Sequence, residues 1–200
     1  MTWIAQCDAP DLEHLSTPVI STYLLNLIFL DRGGSNNLQV RTYVHAFILC
    51  TDKAIRAYCL GRGFFSQYVA SRNRTTLLFQ GLAEFETCIS TVKRCLSLAD
   101  RMATHSDNPD IDRTTRRLLV SYQARIRPIR DAIEHMDDDI ARGASLPGGP
   151  LFLFACPDGS GLTIATNTLS FITLARTIER LHDIALSLAS RERGPSSLDK

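Results

Sequence analysis

Residues 119–140 read Leu119-Val120-Ser121-Tyr122-Gln123-Ala124-Arg125-Ile126-Arg127-Pro128-Ile129-Arg130-Asp131-Ala132-Ile133-Glu134-His135-Met136-Asp137-Asp138-Asp139-Ile140. Within them Leu119, Tyr122, Ile126, Ile129, Ile133, Met136 and Ile140 alternate spacings of three and four. That is the apolar seam of an amphipathic helix packed in a bundle. It predicts a helix over residues 110–142, the longest of the chain. Pro128 lies inside it, and proline lacks an N–H and crowds the carbonyl four residues earlier. A kink near residues 124–128, or a break into two helices, is therefore expected.

The same periodicity, read outward, predicts a first helix over residues 17–31, a second over 37–60 ended by Gly61-Arg62-Gly63, and a third from Asn73 or Thr75 to Thr104. Residues 32–36 and 105–109 carry helix stops, and Pro147-Gly148-Gly149-Pro150 makes a turn. Two short apolar runs, residues 151–156 and 162–165, flank a turn with Asp158-Gly159 and predict a small β-hairpin. A last helix follows over residues 168–191. The expected fold is all-α, an antiparallel four- to five-helix bundle with a hairpin near residues 151–165 as an appendage or clasp. It forms one domain over residues 1–193, with a loose tail at 194–200.

The chain has 200 residues, 44% hydrophobic and 22% charged, with a formal net charge of +1. These are globular averages and exclude disordered and collagen-like classes. Near-zero charge gives no bulk field toward nucleic acid or an acidic membrane, so any polyanion site is local. The most apolar window, residues 18–30, is shorter than the roughly 20 residues a spanning helix needs. Residues 1–14 lack the basic region of a signal peptide, and the six cysteines form no CxxC pair. A cytoplasmic protein with reduced cysteines, four of them in apolar helical stretches, is the expectation.

The candidate chemistry lies in the fourth helix. Arg130 is followed by a polar Asp131 and, five positions after the Arg, by His135. A bare Arg at five to seven positions before a His arises about 1.4 times by chance at this composition. Arg176 and His182 also meet it, but Thr177 follows that Arg. Requiring a polar Asp, Asn or His after the Arg lowers the chance number to about 0.2. Arg130-Asp131 with His135 resembles the R-x4-6-H motif of the HEPN superfamily. The resemblance implies a small helical-bundle protein, usually a homodimer, whose active members are metal-independent ribonucleases. In them, Arg and His from two protomers line a shared cleft. It further implies an RNA substrate, no cofactor, and a toxin or defence role that can involve a nucleotidyltransferase-like antitoxin. Other members are non-catalytic binding modules.

Helical geometry adds detail to this reading. His135 lies about 200° around the helix from Ile133, away from the seam, so it should not be buried in its own subunit. Asp131 shares its face at i, i+4, and Asp138 continues that polar stripe. Arg130 lies about 140° from His135, so a flexible guanidinium, the kink at Pro128 or a second protomer has to bring the two together. RNA is cut without metal when its 2′-hydroxyl attacks the adjacent phosphorus, which needs a base, an acid and positive charge at the phosphorane. His135 would be acid or base, Arg130 would clamp phosphate, Asp131 would orient the histidine, and Arg125 and Arg127 would track the RNA backbone.

The other reading is a non-catalytic helical interaction or regulatory module that uses the same stripe. Asp137-Asp138-Asp139 beside His135 makes a poor metal cluster, because consecutive helical carboxylates diverge by about 100° each. His45 sits among apolar residues as a core histidine. Arg113, Arg116 and Arg117 form a basic patch that serves RNA or solvent equally well.

Overall fold

Asn37 opens the longest helix: its side-chain oxygen accepts hydrogen bonds from the N–H groups of Gln39 (2.9 Å) and Val40 (3.3 Å), satisfying amides that the helix itself leaves unpaired. The computed structural model describes residues 4–29, 37–71, 74–107, 111–143 and 152–190. Along them run α1 (Val19–Phe29), α2 (Leu38–Ala70), α3 (Thr75–Thr104), α4 (Arg113–Glu134), α5 (Met136–Ala141), β1 (Phe154–Ala155), β2 (Gly161–Ile164), β3 (Asn167–Ser170) and α6 (Phe171–Ser190). The fold is an all-α helical bundle with a small antiparallel sheet. The expected stops at residues 32–36, the turn at 144–150, the Asn73 cap and the tail at 194–200 lie outside the described residues.

α2 and α3 form the central antiparallel pair. α2 spans 33 residues and passes straight through Gly61-Arg62-Gly63, where a stop was expected. The reason is packing. A Cβ on Gly61 would stand 3.1 Å from the Phe85 ring and 3.2 Å from the Gly81 carbonyl oxygen, and one on Gly81 would overlap the Phe65 ring. Glycine here lets two helices approach closely, and burial offsets its propensity cost of about 1 kcal/mol. Around this crossing Tyr58, Phe65, Phe85 and Phe171 join ring to ring, with centroids 4.9–6.1 Å apart. Arg62 ties down the N-terminal segment, its Nε donating to the Ala9 carbonyl (3.0 Å) with its guanidinium 3.5 Å from Asp11.

α1 packs on α2 and α6. It starts at Val19, and its first amides are capped from another helix: the N–H groups of Val19 and Ile20 donate to the two carboxylate oxygens of Asp52, each at 2.9 Å. α4 begins at Arg113, where Asp112 accepts from the Thr115 N–H at 2.8 Å and from the Thr115 hydroxyl at 2.9 Å. At 22 residues it is shorter than α2 and α3, against the expectation that it would be the longest. Pro128 stays inside α4. The break falls later, at His135, whose φ of −104° and ψ of 11° end α4 and start α5. The seam agrees with that placement. Leu119, Ile126 and Ile129 are buried, Tyr122, Ile133 and Met136 are half-buried, and Ile140 is 52% exposed. Burial along the seam thus falls off toward the break and past it.

The expected hairpin is a three-stranded sheet, β1-β2-β3. β1 and β2 pair through Phe154↔Thr163, and β2 and β3 through Leu162↔Leu169. Asn167–Ser170, expected in part as the first turn of the last helix, forms β3, and α6 starts at Phe171. In the β1–β2 turn Gly159 has φ of 76°, and its carbonyl accepts from the Asp8 N–H at 3.0 Å. The sheet is no appendage: Ala155, Leu162, Ile164 and Leu169 join the buried cluster to which α1, α2, α3, α4 and α6 contribute. Among the described residues no helix is long and apolar enough to cross a membrane.

Candidate functional site

The motif residues occupy the C-terminal end of α4 and the break that follows. Arg130 is partly sheltered, its side chain 28% exposed, and two carboxylates hold its guanidinium. Nη1 donates to Asp131 Oδ1 at 3.1 Å, and Nη2 pairs with Glu134 Oε1 one turn on. Asp131 also accepts from Arg127 Nε through Oδ2, at 3.1 Å. Partial desolvation works to raise the Asp131 pKa, but the hydrogen bonds and charges of Arg130 and Arg127 outweigh it and hold the carboxyl below its ordinary value. The result is a chain of charge, Arg127–Asp131–Arg130–Glu134, whose two outer pairs stand at i, i+4 and whose central pair joins neighbouring residues.

His135 is outside this chain. Its side chain is 60% exposed, in line with a histidine facing away from the apolar seam, and Nδ1 lies 3.7 Å from Asp138 Oδ2 of α5. The backbone N–H of His135 donates to the Asp131 carbonyl at 3.0 Å, the last α4 hydrogen bond before the chain leaves the helix. The carboxylate nearest the imidazole is thus Asp138, while Asp131, the residue expected to orient His135, is occupied by two guanidinium groups. The physical cause is competition: a carboxylate within reach of two permanent cations satisfies them before a neutral ring. Among the described residues no hydrogen bond or ion pair joins Arg130 to His135. Arg125 is exposed, and Arg127 reaches Asp131.

Two of these participants carried no role in the sequence reading. Glu134 was legible, since it stands four residues after Arg130, the spacing for a Glu–Arg pair. Asp138 was legible in the same way, since it stands on the His135 face at i, i+3. No group of three or more His, Cys, Asp or Glu able to hold a metal ion is found among the described residues. Of the remaining candidates, Arg116 pairs with Asp100 at 3.3 Å. His45 is half-buried against the Tyr23 ring, centroids 5.9 Å apart. Comparison with models of protein families, with curated proteins and with solved structures finds no match for this chain.

Proposed function

We propose that this chain is a HEPN-like, metal-independent endoribonuclease, possessing a complete site only when two copies meet at the end of α4. The observation that carries the reading is His135. The motif histidine stands exposed at a helix break with a carboxylate 3.7 Å from Nδ1, and its other ring nitrogen, Nε2, has no partner among the described residues. At 3.7 Å the carboxylate acts on Nδ1 by its charge and not by a hydrogen bond, and a small rotation that brings it to Nδ1–H would orient the ring with Nε2 toward substrate. Asp138 takes the orienting role first assigned to Asp131, and Asp131 instead aligns the Arg130 guanidinium.

The Arg130 pairs do not exclude a phosphate. They lie at the surface, with side chains 28–42% exposed, and exposed ion pairs contribute about 0–1 kcal/mol. A bidentate phosphate on the same guanidinium can displace them. Two copies would supply two histidines, one as base for the 2′-hydroxyl and one as acid for the 5′-oxygen, with Arg130 carrying the phosphorane charge. RNA as substrate, a homodimer, a cytoplasmic setting and a toxin or defence role with a nucleotidyltransferase-like antitoxin belong to this proposal.

One observation favours a second reading, a non-catalytic helical interaction module. Glu134, Asp137 and Asp138 crowd the approach to His135 with negative charge, which repels RNA and suits a basic protein partner. One experiment separates the two: incubation of structured RNA with purified protein in excess EDTA, beside Arg130→Ala and His135→Ala proteins of matched circular dichroism. The ribonuclease yields 2′,3′-cyclic phosphate ends and loses at least 100-fold in either variant, on the scale of an acid–base catalyst. Absence of cleavage by the wild-type chain rejects the proposal and leaves the interaction module.

A further inference from the structure

Between α2 and the segment leading into α1 lies a cavity of about 440 Å³, inside the range of about 300–1,000 Å³ of small-molecule sites. Leu15, Pro18 and Ile20 line it from that segment and the first turn of α1, and Leu49, Ile55 and Leu60 line it from α2. Ile55 is buried, while Leu49 and Leu60 are 45% and 41% exposed, so the cavity is open to solvent along α2. Lys53 and Arg56 also line it and stand between those two leucines. Spacings of four, three and four put Leu49, Lys53, Arg56 and Leu60 on one face of the helix.

The polar lining decides what charge fits. Among the described lining residues the only carboxylate is Asp52, whose two oxygens take the first amides of α1 at 2.9 Å each, where the positive helix end offsets its charge. Lys53 and Arg56 are exposed, and neither makes a hydrogen bond or ion pair with a described residue. Among the described residues no aromatic ring lines the cavity, so it offers no stacking surface for a base. No described residue of α4 lines it either, which sets it apart from the motif arginine and histidine. We propose that the cavity is a binding site for a straight-chain fatty acid, its tail along Ile20, Ile55 and the two leucines and its carboxylate held by Lys53 and Arg56.

The two parts of such a ligand match the two parts of the lining. An aliphatic tail covers the apolar surface that Leu49 and Leu60 leave to water, which supplies affinity without direction. The cations supply direction and charge selectivity: a guanidinium holds a carboxylate through two parallel hydrogen bonds, and an ammonium adds a point charge beside it. An amine of the same chain length keeps the apolar contribution and is repelled by both cations.

The test titrates the purified full chain with decanoate and with decylammonium by calorimetry. It also follows iodoacetamide labelling of wild-type Cys59, which lines the cavity, beside Cys156, which does not; both are half-buried. Trypsin leaves Cys59 as the sole cysteine of residues 57–62, so its label is read separately. The expected result is one decanoate per chain, bound at least about tenfold tighter than decylammonium. Saturating decanoate should slow Cys59 labelling by at least about fivefold and leave Cys156 unchanged. Lys53→Gln combined with Arg56→Gln, at two exposed positions, should weaken decanoate by at least about fivefold with an unchanged melting temperature. Equal affinity for decanoate and decylammonium overturns the proposal, as does an unchanged affinity in the double variant. Decanoate binding that leaves Cys59 unprotected, or that slows Cys156 alike, places the ligand elsewhere and overturns it too. Absence of saturable decanoate binding to the wild-type chain rejects the fatty acid and leaves the cavity to an apolar side chain of a protein partner.

Discussion

Glu134 holds one arm of the Arg130 guanidinium, and Asp131 holds the other. If phosphate must displace these carboxylates, removing the Glu134 charge should help. Glu134→Gln is expected to raise initial cleavage rates in the EDTA assay up to about fivefold, the equivalent of one exposed ion pair. A rate reduced tenfold would mean that Glu134 positions Arg130 for substrate. At this scale the sequence was a good guide to exposure and a poor one to pairing. The face of His135 followed from its angle to Ile133. Its partner did not, because Asp131 at i−4 and Asp138 at i+3 both offer a carboxylate and only Asp131 had two arginines in reach.

Helix identity was legible from periodicity, while helix ends depended on contacts between elements. Gly61 and Gly81 show why. Glycine is a helix stop when solvent surrounds it and a contact point when another helix lies against it, and the local sequence is the same in both cases. Gly81→Ala should drive a methyl into the Phe65 ring and cost about 1–3 kcal/mol, read from urea denaturation. A variant with unchanged stability would show that the crossing has slack. The start of α1 depends likewise on α2. Asp52→Ala removes the acceptor for two α1 amides and should cost about 1–2 kcal/mol, with hydrogen exchange faster at Val19 and Ile20 than at the middle of α1. Equal protection in variant and wild type would disprove that cap. β3 was missed for a related reason: residues 167–170 carry an apolar pattern too short to separate a strand from a first helical turn, and only the ladder to β2 decides it.

For the whole molecule, acid should loosen the bundle partly through His182 of α6. Desolvation lowers its pKa below the ordinary 6.5, Asp183 and Asp52 raise it, and His14 lowers it again, with the net shift downward. The unfolded chain therefore takes up this proton first as pH falls below about 6.5, and stability declines from there until pH passes the folded value. Urea midpoints measured between pH 7.5 and 5 should fall, and His182→Gln should flatten part of that fall. A parallel profile in the variant would place the acid sensitivity of this range in another group; Asp131 of α4 acts only at lower pH. Its folded pKa is depressed, so its contribution is present above about pH 3.8 and is lost only at lower pH.

The sequence by itself determined that this chain is helical, which faces turn inward, that an Asp-Gly turn sits at residues 158–159, and that His135 stays out of its own core. These are consequences of local spacing and of turn chemistry, which each segment carries wherever it is placed. The tertiary structure alone decided that Gly61 joins two helices instead of ending one and that Asp52 starts α1. It alone decided that the strands belong to the core. Each of those outcomes is a contact between residues distant in the chain or across a helix end. Such contacts are selected by the total burial and pairing of the folded molecule, a quantity that no single stretch of sequence contains.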